Sequence, residues 1–398
     1  MNTPLPLYQR DAVLQSMADL IGHQKNAIIE ANKIDVKNYN GNDISMYDRL
    51  KVDDTKIDGM ILSLDQLIAD SDPIDKELFN FTHKNGMHIV NKTAAFGTVM
   101  IIYESRPDVT VEAGGIAFKS GNKILLKGGK ESINSNLKIV ALWHQALKEN
   151  NISTNWVEYL NYNRTETQAF LENPTQKIDL IVPRGGEKLI AFVKKNANCP
   201  VIVSGRGNNF IYVDVDADLD MALNLINNGK TAKISACNAV DKVLINSALP
   251  NKESFIESLI IKLKESKVEI LGDTTIALFE NVTQIQSNDI WYKEFLDYKI
   301  VIGSVDSTDE AITKINKYSG GHSAVIITKN DATANNFMSS VDSAAVYQNA
   351  STRFTDGGQF GLGGELAIST DKLHHRGPMG LHHLVTNKWY IKGNGQIR

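Results

Sequence analysis

The chain has 398 residues, 42% apolar and 22% charged, with a formal net charge of −4. That length exceeds a single core and suits two or three domains. There is no basic excess to suggest nucleic acid, and no apolar run approaches the 18 residues of a membrane span, so neither partner is expected. The opening residues, MNTPLPLYQRDAVLQ, lack the charged-then-apolar pattern of a signal peptide. Two cysteines, Cys199 and Cys237, are too few for a disulfide framework and suit a reducing, cytoplasmic compartment.

Up to about Asp70 the chain reads as helices, with Ala12, Leu14, Met17, Leu20 and Ile21 at helical spacing and Ile28, Ile29 and Ile34 continuing it. Residues 79–95 read as a hairpin around Asn85-Gly86, a type I′ turn signal. An alternation then begins. Strands are expected at Thr98–Tyr103, Lys123–Lys127, Val157–Leu160, Ile178–Val182, Val201–Ser204 and Phe210–Val213, with helices at Val109–Lys119, Ser132–Glu149, Thr165–Leu171 and Gly186–Lys195. That order implies right-handed βαβ units and a parallel sheet, which binds ligands at the carboxyl ends of its strands. A second alternation follows: helices at Ala222–Lys230, Glu253–Lys264 and Asp309–Lys317, and strands at Lys242–Ile245, Lys299–Gly303 and Ala324–Thr328. The tail ends in a strand-like run, Lys388–Lys392.

Several residues have types suited to chemistry. Cys237 lies in KISACNA, between a helical run and a strand, beside the small Ser235 and Ala236. A thiolate there needs a cation or a helix N-terminus to lower its pKa; otherwise the residue is a small buried hydrophobe, the reading given to Cys199. Arg106, in YESRPDVT at a strand's carboxyl end, could meet an anion or form a salt bridge. Pro107 and Asp108 suit a helix start. Lys127-Gly128-Gly129-Lys130 follows a strand and could cradle a phosphate or ribose, a tight turn with solvated lysines being the alternative. Arg184-Gly185-Gly186 likewise opens a helix and could bind pyrophosphate. No Walker A run and no strand-linked G-x-G-x-x-G occurs. Arg353 sits in a glycine-rich stretch, 349–380, where a guanidinium could read carboxylate or phosphate, with Asn349, Ser351 and Thr352 as further donors. The pairs His374-His375 and His382-His383 invite a metal, but adjacent side chains in irregular structure point apart, and no metal is expected.

The motifs YESRPDVT, LLKGGKE, VPRGG, SACN, and NASTRFTDGGQFGLGGE to RGPMGL together resemble those of gamma-glutamyl phosphate reductase, a branch of the aldehyde dehydrogenase superfamily, over about Ile28 to Arg398. The resemblance implies an α/β, aldehyde dehydrogenase-like fold of two lobes with parallel sheets and a small β oligomerisation element. The dinucleotide-binding domain would be 1–78 and 96–207, the catalytic domain 208–373, and the oligomerisation hairpin and tail 79–95 and 384–398. It also implies NADPH-dependent reduction of L-glutamyl 5-phosphate to L-glutamate 5-semialdehyde and phosphate, the second step of proline biosynthesis. A homo-oligomer, dimer or tetramer, and a glutamate 5-kinase partner go with that activity.

By the same resemblance Cys237 takes the catalytic position, with Ile234 where the family has Pro. Oxyanion donors would be Asn238 and nearby amides, because an ionised Asp108 cannot donate. Lys127 would reach the adenine ribose and Lys130 a 2′-phosphate, favouring NADP. Glu294 would hold the nicotinamide ribose. The stretch Val203–Asn209 lacks the water-activating glutamate of hydrolytic relatives, and Arg206, Asn208 and Asn209 depart from the family's apolar residues and His. Two other readings stay open: another aldehyde dehydrogenase-like enzyme, and a non-catalytic homologue that binds the glutamate kinase.

Overall fold

The structure, a computed structural model, describes residues 4–41 and 44–398. Met1–Thr3, part of the stretch read for a leader, lie outside them. Two compact units are present: Met1–Ser204 with Gly361–Ala367 and Met379–Arg398, and Gly205–Phe360 with Ile368–Pro378.

The first unit opens with helices α1 (Leu7–His23), α2 (Lys25–Asn38), α3 (Ile44–Leu50) and α4 (Asp54–Ala69). Asp53 caps α4 by accepting from the Lys56 amide. A hairpin follows, β1 (Glu77–Thr82) and β2 (His88–Ala95). Its loop runs over residues 83–87, closed by the His83 amide donating to the Met87 carbonyl at 2.8 Å. Gly86 alone adopts a positive φ, 84°. A type I′ turn requires positive φ at both central residues, so the five-residue loop replaces the expected two-residue turn.

Next come β3 (Thr98–Tyr103), α5 (Val109–Lys119), β4 (Lys123–Lys127), α6 (Ile133–Glu149), β5 (Val157–Tyr159), α7 (Arg164–Glu172), β6 (Leu180–Arg184) and α8 (Glu187–Asn196). The sheet order is β5-β4-β3-β6, all parallel. Met100, Ile101 and Ile102 of β3 and Ile124, Leu125 and Leu126 of β4 are buried in succession, as a sheet covered on both faces requires. Gly114 and Gly115 let α5 close on Trp143 and on Leu64 and Leu67, where an added Cβ at Gly115 would stand 2.9 Å from Leu67. The α6 N-terminus is tied down by Asp35, whose carboxylate accepts from the amides of Asn134 and Ser135 and from both their side chains. A capping box, Asn163 with Glu166, starts α7. Val201–Ser204 is not a strand: Val201 makes only an isolated bridge with Ile181.

The second unit contains β7 (Asn209–Val213), α9 (Leu219–Thr231), β8 (Val240–Asn246), α10 (Lys252–Glu265), β9 (Glu269–Gly272), β10 (Thr283–Gln284), β11 (Lys299–Val305), α11 (Thr308–Tyr318), β12 (Ser323–Ile327), α12 (Asp331–Ser340) and β13 (Ala345–Gln348). Its seven-stranded sheet is ordered β10-β9-β11-β8-β7-β12-β13. Every pairing in it is parallel. Two short strands, β14 (Ala367–Ser369) and β15 (Gly377–Met379), pair with each other.

The chain returns to the first unit as β16 (Val385–Lys392), antiparallel to β2 along all eight of its residues. Hairpin and tail thus form a three-stranded sheet, β1-β2-β16, within one chain. The outer edges of this sheet are β1 and β16, and one face carries exposed Phe79, Phe81 and Trp389. No helix of the described residues is long and apolar enough to cross a membrane.

Candidate active site

The second unit holds Cys237 in a turn between α9 and β8. No helix begins there; the element supplying a cation is the 352–354 turn, because the Arg353 guanidinium lies within electrostatic reach of the thiol. Burial lowers the Arg353 pKa, opposed by the charges of Cys237 and Asp356. One guanidinium nitrogen of Arg353, Nη1, is buried without a hydrogen-bond partner. Buried donors normally have one, so this nitrogen is suited to an anion.

The other candidates in this stretch are committed internally. Asn349 exchanges two bonds with the Thr328 backbone, donating Nδ2 at 2.8 Å and accepting at 3.0 Å. Ser351 donates to Asn228 Oδ1 and Thr352 donates to the Asn238 carbonyl. Asn238 spends its amide donors on the carbonyls of Arg353 and Thr355, at 3.3 and 3.0 Å. These bonds fasten the 351–355 segment to the cysteine turn. Both amide hydrogens of Asn238 are engaged in this way.

Behind the turn lie fully buried Lys230 and Lys242. Lys230 pairs with Asp241 at 2.7 Å. Lys242 donates to the Lys293 carbonyl at 2.7 Å and sits 4.0 Å from the centroid of the Phe295 ring. Asp241 accepts from the Phe295 amide at 2.7 Å. Burial pulls the Lys242 pKa down to about 7, against the attraction of Asp241 and Glu294. Glu294 is thus held in place on both sides, through Lys293 and Phe295. His322, fully buried beside Ser323, is pushed by burial to about 4 and stays neutral.

In the first unit Arg106 bridges Asp108 at 2.7 Å and Glu112 at 3.9 Å. Burial works against its charge, but Asp108, Glu112 and Glu365 raise its pKa overall. Asp108 makes no capping bond; its carboxylate faces burial, which Arg106 outweighs, so its pKa is lowered. Asp108 stands at the N-cap of α5 as expected, and the ion pair with Arg106 adds to that placement. Lys127 donates to the Gly128 carbonyl, and burial lowers its pKa. Lys130 is exposed. At the start of α8 the Gly186 amide donates to Glu104 at 2.9 Å, and a Cβ on Gly185 would stand 2.5 Å from the same carboxylate. Glu104 was not picked out from the sequence, where YES reads only as a strand end.

Cys199 packs among apolar residues, and burial raises its pKa. His375 meets the Pro378 carbonyl, His382 meets Lys76, and the Gly380 amide donates to His383. Among the described residues no three His, Cys, Asp or Glu gather as metal ligands.

The model of the aldehyde dehydrogenase family matches residues 3–278 and 277–389. The gamma-glutamyl phosphate reductase of Clostridium beijerinckii is 42% identical over 392 residues, covering 98% of this chain and 94% of that one. The chain belongs to the aldehyde dehydrogenase family, in its gamma-glutamyl phosphate reductase branch. The solved gamma-glutamyl phosphate reductase of Thermotoga maritima superposes with a TM-score of 0.94 at 39% identity, covering 99% of this chain and 95% of that one. An acetylating aldehyde dehydrogenase from Geobacillus thermoglucosidasius shares the fold, with a TM-score of 0.71 at 14% identity. Besides Glu104, sequence reasoning missed Asp241, Lys242 and Lys230. In a strand read as KVLI, a lysine at the first position looks like a solvated end.

Proposed function

We propose that the chain catalyses NADPH-dependent reduction of L-glutamyl 5-phosphate to L-glutamate 5-semialdehyde and phosphate, the second step of proline biosynthesis from glutamate. Arg353 carries the reading: a cation facing Cys237, with a buried donor unspent. Its charge favours the Cys237 thiolate and draws an acyl phosphate to it. The thiolate attacks the acyl carbon, the carbon–oxygen bond to phosphate breaks, and phosphate leaves with that electron pair. The result is a thioester on Cys237. NADPH, when bound, supplies the hydride that takes this thioester to the aldehyde level. As the carbonyl re-forms, Cys237 departs as thiolate. Residues 203–209 contain no carboxylate that could serve as a base for water, which supports phosphate rather than water as the second partner of the acyl group.

Lys127, Lys130, Arg184 and the backbone at Gly128, Gly129, Gly185 and Gly186 would hold the dinucleotide. The Gly186 amide already binds a carboxylate, that of Glu104, which fits an anion position. Lys130 suits a 2′-phosphate, and Glu294 the nicotinamide ribose. The first unit serves as the dinucleotide-binding domain and the second as the catalytic one, in a cytoplasmic homo-oligomer joined through the β1-β2-β16 sheet. A glutamate 5-kinase is the partner proposed to hand over the labile acyl phosphate. The test is the reverse reaction with purified protein, glutamate 5-semialdehyde and NADP. Phosphate-dependent appearance of NADPH is expected. Phosphate-independent appearance would mean a hydrolytic dehydrogenase, and none at all in folded protein would refute the activity.

A further inference from the structure

The activity above makes no use of the loop Arg206–Asn209, which is polar yet largely buried. Its side chains divide between two destinations. Arg206 Nη1 donates to the Tyr292 carbonyl at 3.0 Å, its guanidinium 5.8 Å from the centroid of the Tyr292 ring. Asn208 Nδ2 donates to the carbonyls of Trp291 at 2.6 Å and Tyr318 at 2.9 Å. Both bonds to 291–292 fall within three residues of Glu294. Asn209 turns the other way. Its Nδ2 donates to the carbonyls of Cys237 at 2.8 Å and Ala239 at 2.7 Å, while its Oδ1 accepts from the Ser323 amide at 3.0 Å.

Between these residues Gly207 touches both destinations at once. A Cβ there would stand 2.6 Å from the Cys237 Cα and 2.6 Å from Glu294 Oε1. No side chain fits, so the backbone itself is the spacer between cysteine and glutamate. Asn208 and Asn209 are fully buried. Buried amides with most of their donors and acceptors engaged have one low-energy placement, so they transmit position rather than merely filling space.

We propose that Arg206–Asn209 is a positioning clamp that fixes Cys237 against Glu294. The proposal rests on the reading of Cys237 as nucleophile and Glu294 as ribose ligand. It accounts for the polar residues of this loop, whose hydrogen bonds run to the two segments that carry the reacting partners. The clamp has two arms that can be cut separately. Arg206 governs the Glu294 segment, and Asn209 governs the cysteine turn.

The test uses the full-length protein and three variants, each first checked by thermal melting. NADPH affinity is read by fluorescence titration, and Cys237 reactivity by the pH midpoint of iodoacetamide alkylation. Arg206→Met is expected to weaken NADPH binding by roughly tenfold or more, the usual effect of losing a charged hydrogen bond, with the alkylation midpoint unchanged. Asn209→Leu keeps the shape of the side chain, removes both donors to the cysteine turn and adds no charge beside the thiol. It is expected to raise the alkylation midpoint by roughly one pH unit as the thiol drifts from Arg353, and to lower kcat more than it changes the cofactor KM. Glu294→Gln tests the underlying reading alone. If it weakens NADPH binding and Arg206→Met does not, the clamp is overturned while the ribose reading stands. If it has no effect, the ribose reading falls, and the alkylation midpoint of Asn209→Leu still decides the cysteine arm. Melting temperatures that fall with affinity and midpoint both unchanged would reduce the loop to ordinary packing and overturn the proposal.

Discussion

Replacing Lys242 with Met removes a buried ammonium while keeping most of its volume, and the consequence can be worked out. The unfolded chain keeps the lysine protonated up to its ordinary value of 10.5, whereas in the fold it loses its proton at about 7. Between those values the unfolded state binds more protons than the native state, so stability rises with pH. The contribution grows above pH 7 and levels off near 10.5; below 7 both states are protonated and it is absent. Each pH unit inside the window is worth about 1.4 kcal/mol. From pH 6 to pH 9 the wild-type chain should therefore gain about 2.5–3 kcal/mol relative to Lys242→Met. Subtracting the variant cancels other titrating groups.

The assay is urea unfolding of both proteins across that range. The two units need not unfold together, so the transition should be the one reported by 5-fluorotryptophan at Trp291, which ¹⁹F NMR resolves from the other tryptophans. Trp291 contributes the carbonyl next to that of Tyr292 in the segment that Lys242 helps to hold. A difference that stays flat within about 0.5 kcal/mol from pH 6 to 9 would refute the argument, because it would mean that Lys242 keeps its proton when buried.

Cys237→Ser should abolish turnover while leaving NADPH binding intact, measured by steady-state rates and fluorescence titration; retained activity would sink the thioester route. Gly207→Ala drives a methyl into the Cys237 backbone and should lower kcat/KM by roughly a hundredfold or more, with the fold preserved by circular dichroism. Asp35→Ala strips the buried N-terminus of α6 of a carboxylate that accepts four bonds and should cost the first unit about 2–4 kcal/mol in urea. Truncation after Leu384 opens the full edge of β2, and size-exclusion chromatography should show aggregation; an unchanged elution profile would count against that edge as a hazard.

The two α/β units were legible because doubly covered strands such as β3 and β4 write themselves as unbroken apolar runs, and βαβ order follows. Short strands were not. Val201–Ser204 has the right residues but forms isolated bridges rather than a continuous ladder. Strand β9 opens on exposed Glu269, and β10 has two residues, so neither carries a periodicity. At the site, the choice of Cys237 came from its motif, and the cation beside it lies more than a hundred residues away in sequence, at Arg353. The side-chain commitments of Asn349, Ser351 and Thr352 could not be read at all. Asn, Ser and Thr donate equally well to a ligand or to a neighbouring carbonyl, and only the fold decides which is in reach.

The pairing of β16 with β2 also sets a timetable for the growing polypeptide. Asn387 bonds Asn91 across 296 residues of sequence. At a synthesis rate of roughly 5–20 residues per second, β2 emerges from the ribosome on the order of 15–60 s before its partner strand exists. For that interval the hairpin, with exposed Phe79 and Phe81, presents an unpaired edge to every other nascent chain nearby. The first unit therefore begins to fold early and finishes last. Expression at reduced temperature, or with a chaperone that shields open strands, should raise the soluble yield by protecting this one edge until the tail arrives.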